Sequence, residues 1–130
     1  MTATRVLVVD DQHLVRKGII GLLNLTDTVQ VVAEATDGAQ ALDIVGIHDI
    51  DVVLLDLRMP VMGGIAVLHA LGRLPDPPNC LVLTTFHDDE QVVEALRAGA
   101  RGYLLKDVSL ETLVSAINEV HRDTRSCRPQ

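Results

Sequence analysis

Short apolar runs alternate with amphipathic segments along the whole chain. Residues 6–9 and 52–55 are brief and rich in Val and Leu, which is typical of strands buried on both faces. Similar runs predict three more strands, and apolar residues at helical spacing predict helices between them. The remaining predicted strands are 29–33, 81–84 and 102–105. The predicted helices cover about 14–23, 39–45, 65–71, 92–98 and 110–117.

Turn and capping residues separate these segments. Asp37-Gly38 precedes the second helix as a turn and possible cap, and Gly99 follows the fourth helix where a C′ glycine is expected. Five strand–helix units in tandem predict an α/β domain, with a parallel sheet covered by helices on both faces. In open sheets of this kind, ligands bind at the carboxyl ends of the strands.

Composition narrows the class of protein. A length of 130 residues fits one domain with a single core, and hydrophobic content of 48% with almost no aromatic residues makes that core aliphatic. The net charge of −7 argues against direct binding of nucleic acid by this domain. The sequence contains no run of 18 or more apolar residues, so we expect no transmembrane helix. The N-terminus also lacks the basic and apolar regions of a signal peptide.

The two cysteines carry no motif spacing. Cys80 starts an apolar run and is predicted to be a buried, small hydrophobic residue, whereas Cys127 lies in a polar tail. This usage is typical of a reducing compartment, so we expect a cytoplasmic protein.

Three acidic residues lie where the first and third predicted strands end. Asp10 and Asp11 follow one apolar run, and Asp56 follows the other. In a parallel sheet they would meet at one edge, where two unit charges 4 Å apart repel by roughly 4 kcal/mol at an effective dielectric constant of about 20. A hard divalent cation is the usual compensation for such a cluster.

Two further polar residues, Thr84 and Lys106, close the fourth and fifth predicted strands. The same edge would then hold acidic ligands for Mg²⁺, a carboxylate able to attack a phosphoryl group, an ammonium and a hydroxyl. The ammonium and the metal can neutralise charge on the transferring oxygens.

With these residues in register, the chain resembles the receiver domain of bacterial two-component response regulators. The similarity covers about residues 4–120. The segments 83–86 and 98–107 are more specifically similar to the subfamily that carries a C-terminal helix-turn-helix of the LuxR type (NarL/FixJ). The matching residues are Asp10, Asp11, Asp56, Met59, Pro60, Gly63, Gly64, Thr84 and Lys106.

The resemblance implies a role for each site residue. Asp56 would be the phosphoacceptor, and Asp11 and Asp56 would ligate Mg²⁺ directly, with Asp10 acting mainly through water. The backbone carbonyl of Arg58 would supply a further metal ligand. Lys106 would pair with the phosphoryl group. Thr84 would hydrogen-bond that group after phosphorylation, and Tyr103 would change rotamer as the threonine moves.

The resemblance also implies an architecture and partners. The fold would be a flavodoxin-like (βα)5 sheet with strand order 2-1-3-4-5, with a receiver over residues 1–121 and a linker stub over 122–130. The expected partners are a sensor histidine kinase and, on activation, a second copy of the chain. DNA would be contacted through an effector domain outside this sequence, and no membrane contact is expected.

Two positions depart from the family pattern. Asp107 follows Lys106 where many receivers have proline, so we expect no cis peptide there, since a non-proline cis bond costs about 2.5–4 kcal/mol. Phe86 stands two residues after Thr84, where other receivers often have a polar residue. A bulky apolar side chain there would limit water access, and we hypothesise slow autodephosphorylation.

Simpler structural roles stay open for single residues. Thr84 could merely end a strand, Lys106 could be a surface lysine, and Tyr103 could be a half-buried strand aromatic. Gly63-Gly64 could be only a loop and helix start. The five histidines show no metal-ligand spacing and are read as surface or structural residues.

Other functions compete with the signalling interpretation. A stand-alone receiver would act by protein contact only. A small aspartyl phosphatase or phosphotransferase usually has a second carboxylate two residues after the nucleophile, but that position is Arg58, which favours a non-enzymatic role. Nucleotide binding is disfavoured because Asp10-Asp11-Gln12 stands where a glycine-rich phosphate loop would follow the first strand.

Overall fold

The computed structural model describes residues 3–59, 62–84 and 89–126, without the side chains of 89 and 123–126. It contains five strands and five helices in strict alternation. Among these residues no helix is long and apolar enough to cross a bilayer. The elements are β1 (Thr4–Val9), α1 (His13–Leu23), β2 (Val29–Ala35), α2 (Gly38–Ile47), β3 (Val52–Asp56), α3 (Gly64–Leu71), β4 (Asn79–Thr84), α4 (Asp89–Arg97), β5 (Gly102–Leu105) and α5 (Leu110–Ser126).

The strands form one parallel sheet in the order β2-β1-β3-β4-β5. Val9 of β1 pairs with Leu55 of β3, and Thr84 of β4 pairs with Leu105 of β5, so the carboxyl ends of these strands are level. The predicted fold class and strand order are confirmed. The strand order reverses between β1 and β3, which places the predicted acidic residues at the switch point where such sheets bind ligands.

Alternating side chains of the strands build two apolar layers. Val53 and Leu55 pack with residues of α2, α3 and α4 on one face of the sheet. Leu54 and its neighbours in β1 pack with α1 and α5 on the other. All five residues of β3 are buried, as expected for a central strand covered on both faces.

The predicted helix cap, the glycine after α4 and the buried cysteine are all found in the structure. The Asp37 side chain caps α2 by accepting a hydrogen bond from the Gln40 N–H at 2.9 Å. Gly99 adopts a φ of 119° just after α4, a conformation that L side chains rarely adopt. Cys80 is buried, and burial raises the pKa of its thiol to about 12. No cis peptide bond occurs in the described ranges, in agreement with the expectation for Asp107.

Several elements are longer than predicted, and for β4 and α5 the extension has a clear physical reason. β4 begins at Asn79 rather than Leu81, because the Asn79 side chain donates to the Val120 carbonyl of α5 at 2.8 Å. This bond satisfies a polar group that would otherwise disfavour a buried strand. α5 continues to Ser126, so residues 122–126 of the predicted linker are helical. A formed helix gains one backbone bond per added residue without needing apolar contacts.

Candidate functional site

The loops that follow β1 and β3 bring three carboxylates together. Asp10, Asp11 and Asp56 each offer an oxygen within 4.8 Å of the others, so the predicted acidic cluster is confirmed. Asp10 is 1% exposed and Asp56 is 8% exposed, whereas Asp11 is open to solvent. The cluster therefore has two buried members and one accessible member.

Lys106 reaches this cluster from the end of β5. Its Nζ lies 2.8 Å from Asp10 Oδ2 and 3.6 Å from Asp56 Oδ1, and its side chain is 9% exposed. The alternative of a surface lysine is therefore wrong. One ammonium faces up to three carboxylates, so a divalent cation would restore the balance of charge at this edge.

Asp56 ends β3, and burial and the Lys106 charge shift its pKa in opposite directions. Burial raises the pKa of the Asp56 carboxyl from 3.8 to about 6; the Lys106 ammonium opposes this rise and the Asp10 carboxylate adds to it. The Arg58 N–H donates to Asp56 Oδ1 at 3.3 Å. The predicted role of the Arg58 carbonyl as a metal ligand stays a prediction.

The two oxygens of the Asp10 carboxylate have different environments. Oδ1 accepts a hydrogen bond from the Gln12 N–H at 2.8 Å, which closes a turn after β1. Oδ2 is buried and makes no well-aligned hydrogen bond among the described residues, although the Lys106 ammonium is near. This oxygen retains acceptor capacity, and three carboxylates are the hard donors that Mg²⁺ prefers. The residues present therefore fit a magnesium ion.

Thr84 and Tyr103 occupy different environments. Thr84 ends β4, is partly buried, and its carbonyl accepts a hydrogen bond from the Lys106 N–H at 2.7 Å, which ties the two predicted site residues together. Tyr103 of β5 pairs with Val82 of β4. Its side chain is 51% exposed and lies outside the acidic cluster. Its predicted change of rotamer stays a prediction. Phe86 and Pro60 lie outside the described residues.

Gly64 allows α3 to begin close to the acidic cluster. A Cβ at this position would lie 2.8 Å from Leu57 Cα and 2.9 Å from the Asp56 carbonyl oxygen, so a larger residue needs the backbone to shift. The Gly64 N–H also donates to the Leu57 carbonyl at 3.1 Å. Close packing against the end of β3 thus favours glycine here, and Gly63 and Gly64 also form the start of α3, as the alternative of a loop and helix start expects.

The sequence reading missed a buried ionic pair beside the cluster. Arg16 of α1 is 6% exposed and its Nε lies 2.6 Å from Glu34 Oε1 of β2. Helical spacing in the sequence could have predicted this pair, because it places Arg16 on the same helix face as Ile19 and Leu23, where an apolar residue is expected.

Comparison with known proteins identifies this arrangement. The family profile described as "Response regulator receiver domain" matches residues 6–118. The chain belongs to the response regulator receiver family.

Relatives place this receiver near regulators of the NarL type. It is 45% identical over 116 residues to the nitrate/nitrite response regulator protein NarP of Escherichia coli K12, covering 89% of this chain and 54% of that protein. It is 39% identical over 117 residues to the transcriptional regulatory protein LnrK of Bacillus subtilis 168, covering 90% and 53%. The chain thus spans about half the length of the curated relatives it matches.

A solved structure agrees with the fold of this receiver. The signal receiver domain of the putative response regulator NarL from Mycobacterium tuberculosis superposes with a TM-score of 0.89 at 38% identity, covering 94% of this chain and 98% of that one. The similarity to the NarL subfamily predicted from the sequence is therefore confirmed.

Proposed function

We propose that this receiver accepts a phosphoryl group on Asp56 from a partner sensor histidine kinase, in a Mg²⁺-dependent reaction. The observation that carries the proposal is the buried Asp56 carboxylate, held with Asp10, Asp11 and Lys106 at the sheet edge. Membership of the receiver family supports the same function.

Asp56 is the nucleophile in this proposal. A carboxylate oxygen attacks the phosphorus of a phosphohistidine, a P–O bond forms to Asp56, and the P–N bond breaks with its electron pair left on the imidazole nitrogen. The Arg58 N–H donates a hydrogen bond to Oδ1. We therefore expect the other oxygen, Oδ2, to attack the phosphorus. Ionisation is required for attack. Because the Asp56 pKa is about 6, the group is mostly ionised at neutral pH.

Asp11 and Asp56 would hold Mg²⁺ directly, Asp10 would support it mainly through water, and the Arg58 carbonyl would be a further ligand. The ion, when bound, supplies neutralisation of charge on the phosphoryl oxygens. Lys106 supplies a second positive charge next to Asp56, because its ammonium already lies 3.6 Å from Oδ1.

Phosphorylation then drives the switch. It adds a charge of about −1.5 to −2 and three acceptor oxygens. Thr84 hydrogen-bonds the phosphoryl group, and its movement lets the half-exposed Tyr103 turn inward. A full shift from 1:99 to 99:1 needs roughly 5.5 kcal/mol of differential stabilisation, to which the bonds from Lys106 and Thr84 contribute.

The output we propose is transcription. Relatives about twice as long are named transcriptional regulatory proteins, which supports an effector domain that binds DNA beyond residue 130. The receiver itself would bind neither DNA nor membrane, and would form a homodimer on activation in the cytoplasm. Arg58 stands where an aspartyl phosphatase would carry its second carboxylate, so we propose no turnover of small substrates.

The experiment is incubation with acetyl phosphate and Mg²⁺ followed by intact mass measurement. Wild type should gain the mass of one phosphoryl group, and Asp56→Asn should gain none. Asp43→Asn is the matched control, because it makes the same change at an exposed carboxylate of α2. It should be modified as wild type is.

Three results would contradict the proposal. An adduct that persists in Asp56→Asn would place the acceptor elsewhere. Continuous release of product from generic phosphate esters, abolished by the same substitution, would make the protein an enzyme rather than a receiver that is modified once. An adduct that forms equally well in EDTA would remove the metal from the account.

A further inference from the structure

Arg16 places a charged group inside the apolar layer that joins α1 to the sheet. It lies on the same helix face as Ile19 and Leu23, and its side chain is 7% exposed. Removing a guanidinium from water is costly unless its donors are satisfied, and buried arginines are rare without partners. The hydrogen-bond partners of the Arg16 guanidinium therefore indicate the structural role of this residue.

All three nitrogen positions of the guanidinium have partners. Nε donates to Glu34 Oε1 at 2.6 Å, and Nη1 donates to the Asp10 backbone carbonyl at 2.9 Å. Nη2 lies 3.1 Å from His13 Nδ1, which must accept because a guanidinium has only donors. The planar fork thus spans the end of β1, the end of β2 and the first turn of α1, which a lysine ammonium could not do with the same geometry.

The bond to Asp10 acts on the metal cluster through the backbone. The Asp10 carbonyl belongs to the peptide plane that also contains the Asp11 N–H, so holding this carbonyl fixes the direction in which the chain enters Asp11. On the other side of the residue, the Asp10 N–H donates to the Ala35 carbonyl at 3.1 Å. Arg16 adds a second restraint on this residue, at the peptide that leads into Asp11.

Glu34 orients the guanidinium in turn. Its Oε2 accepts from Lys17 Nζ at 2.7 Å while Oε1 accepts from Arg16, and these hydrogen bonds lower the pKa of Glu34. Lys17 is 50% exposed and, among the described residues, forms no ion pair with Asp10 or Asp11. It therefore shares Glu34 with Arg16 but has no link to the acidic cluster.

We propose that Arg16 is a positioning residue for the acidic cluster: it holds the Asp10–Asp11 peptide and thereby sets the affinity of the site for Mg²⁺. The affinity part rests on the proposed function, while the restraint on the backbone does not. Groups that orient metal ligands typically change metal affinity by about 10–100-fold when they are removed.

The experiment compares Arg16→Met, Arg16→Lys and the matched control Lys17→Gln in the full chain. The first measurement is amide hydrogen exchange of Gln12 by NMR in EDTA, since that N–H bonds to Asp10 Oδ1. The second is Mg²⁺ titration followed by the amide signals of residues 10–12. Denaturant unfolding of each variant allows exchange through local opening to be separated from global unfolding.

Arg16→Met should speed exchange at Gln12 by about tenfold, the effect of losing one hydrogen bond, and weaken Mg²⁺ binding by at least about tenfold. Lys17→Gln should change neither by more than about twofold. Arg16→Lys, which keeps the charge but not the fork, should fall between them and serves if the methionine variant fails to fold.

Unchanged Gln12 exchange in a folded Arg16 variant overturns the inference, as does an equal effect in Lys17→Gln. A merely structural role would lower global stability without a selective change at residues 10–12. If wild type itself binds no Mg²⁺, the proposed function fails, yet the exchange measurement in EDTA still decides whether Arg16 holds the Asp10–Asp11 peptide.

Discussion

Asp56→Asn should stabilise the metal-free protein in a way that depends on pH. Burial raises the pKa of Asp56 from 3.8 to about 6, so the folded state binds this proton more tightly than the unfolded chain. A rise of about two units corresponds to about 3 kcal/mol, at 1.36 kcal/mol per unit. Ionisation of Asp56 therefore costs the folded state up to about 3 kcal/mol.

The sign follows from the direction of the shift. Below the unfolded pKa of 3.8, Asp56 is protonated in both states and costs nothing. Between about pH 4 and pH 6 the unfolded chain ionises first, and the stability of wild type falls. Above pH 6 the penalty is complete. Asparagine mimics the neutral carboxyl and does not ionise, so its advantage over wild type should grow across this window and then level off.

Urea unfolding followed by circular dichroism in EDTA, from pH 4 to pH 8, measures this difference. The control is Asp43→Asn, an exposed carboxylate in α2, whose effect should stay within about 0.5 kcal/mol across the range. A gap between Asp56→Asn and wild type that does not change with pH would refute the reasoning, because the buried carboxylate would then carry no ionisation penalty.

Three further substitutions test the packing that supports the site. Gly64→Ala should destabilise by about 1–3 kcal/mol because its Cβ would meet the backbone of residues 56 and 57, whereas Gly18→Ala, in open space on α1, should stabilise by about 0.5–1 kcal/mol; urea unfolding measures both, and equal effects would contradict the packing argument. Leu54→Ala should cost about 2–5 kcal/mol, since the side chain is 1% exposed in the central strand, and a thermal melt that barely moves would oppose this. Asp37→Ala should cost about 1 kcal/mol by removing the cap of α2, with Gln40 amide exchange as the local check; unchanged exchange there would argue against the cap.

Much of the fold and the acidic cluster could be predicted because their signals are local in sequence. The Val- and Leu-rich runs locate strands, and a parallel sheet then places Asp10, Asp11 and Asp56 at one edge without any knowledge of tertiary contacts. The same reasoning predicts that Lys106 lies at this edge, and its contacts with Asp10 and Asp56 agree with that position.

The rest depends on partners that are distant in sequence. Asn79 extends β4 only because the Val120 carbonyl, 41 residues away, accepts its amide. The sequence places Arg16 on the apolar face of its helix, but the reason for a charged residue there becomes clear only when Glu34 and the Asp10 carbonyl are seen beside it. The need for glycine at residue 64 likewise emerges from the closeness of β3 to the start of α3.

The central claim is that Asp56 is the phosphoacceptor, and locating the modified residue tests it most directly. Protein treated with acetyl phosphate and Mg²⁺ would be reduced with borohydride, which converts an aspartyl phosphate to homoserine, and then digested for peptide mass analysis. The account predicts homoserine at residue 56 in wild type and unmodified Asp10 and Asp11 in the same sample. Homoserine at another aspartate, with residue 56 unchanged, would contradict it.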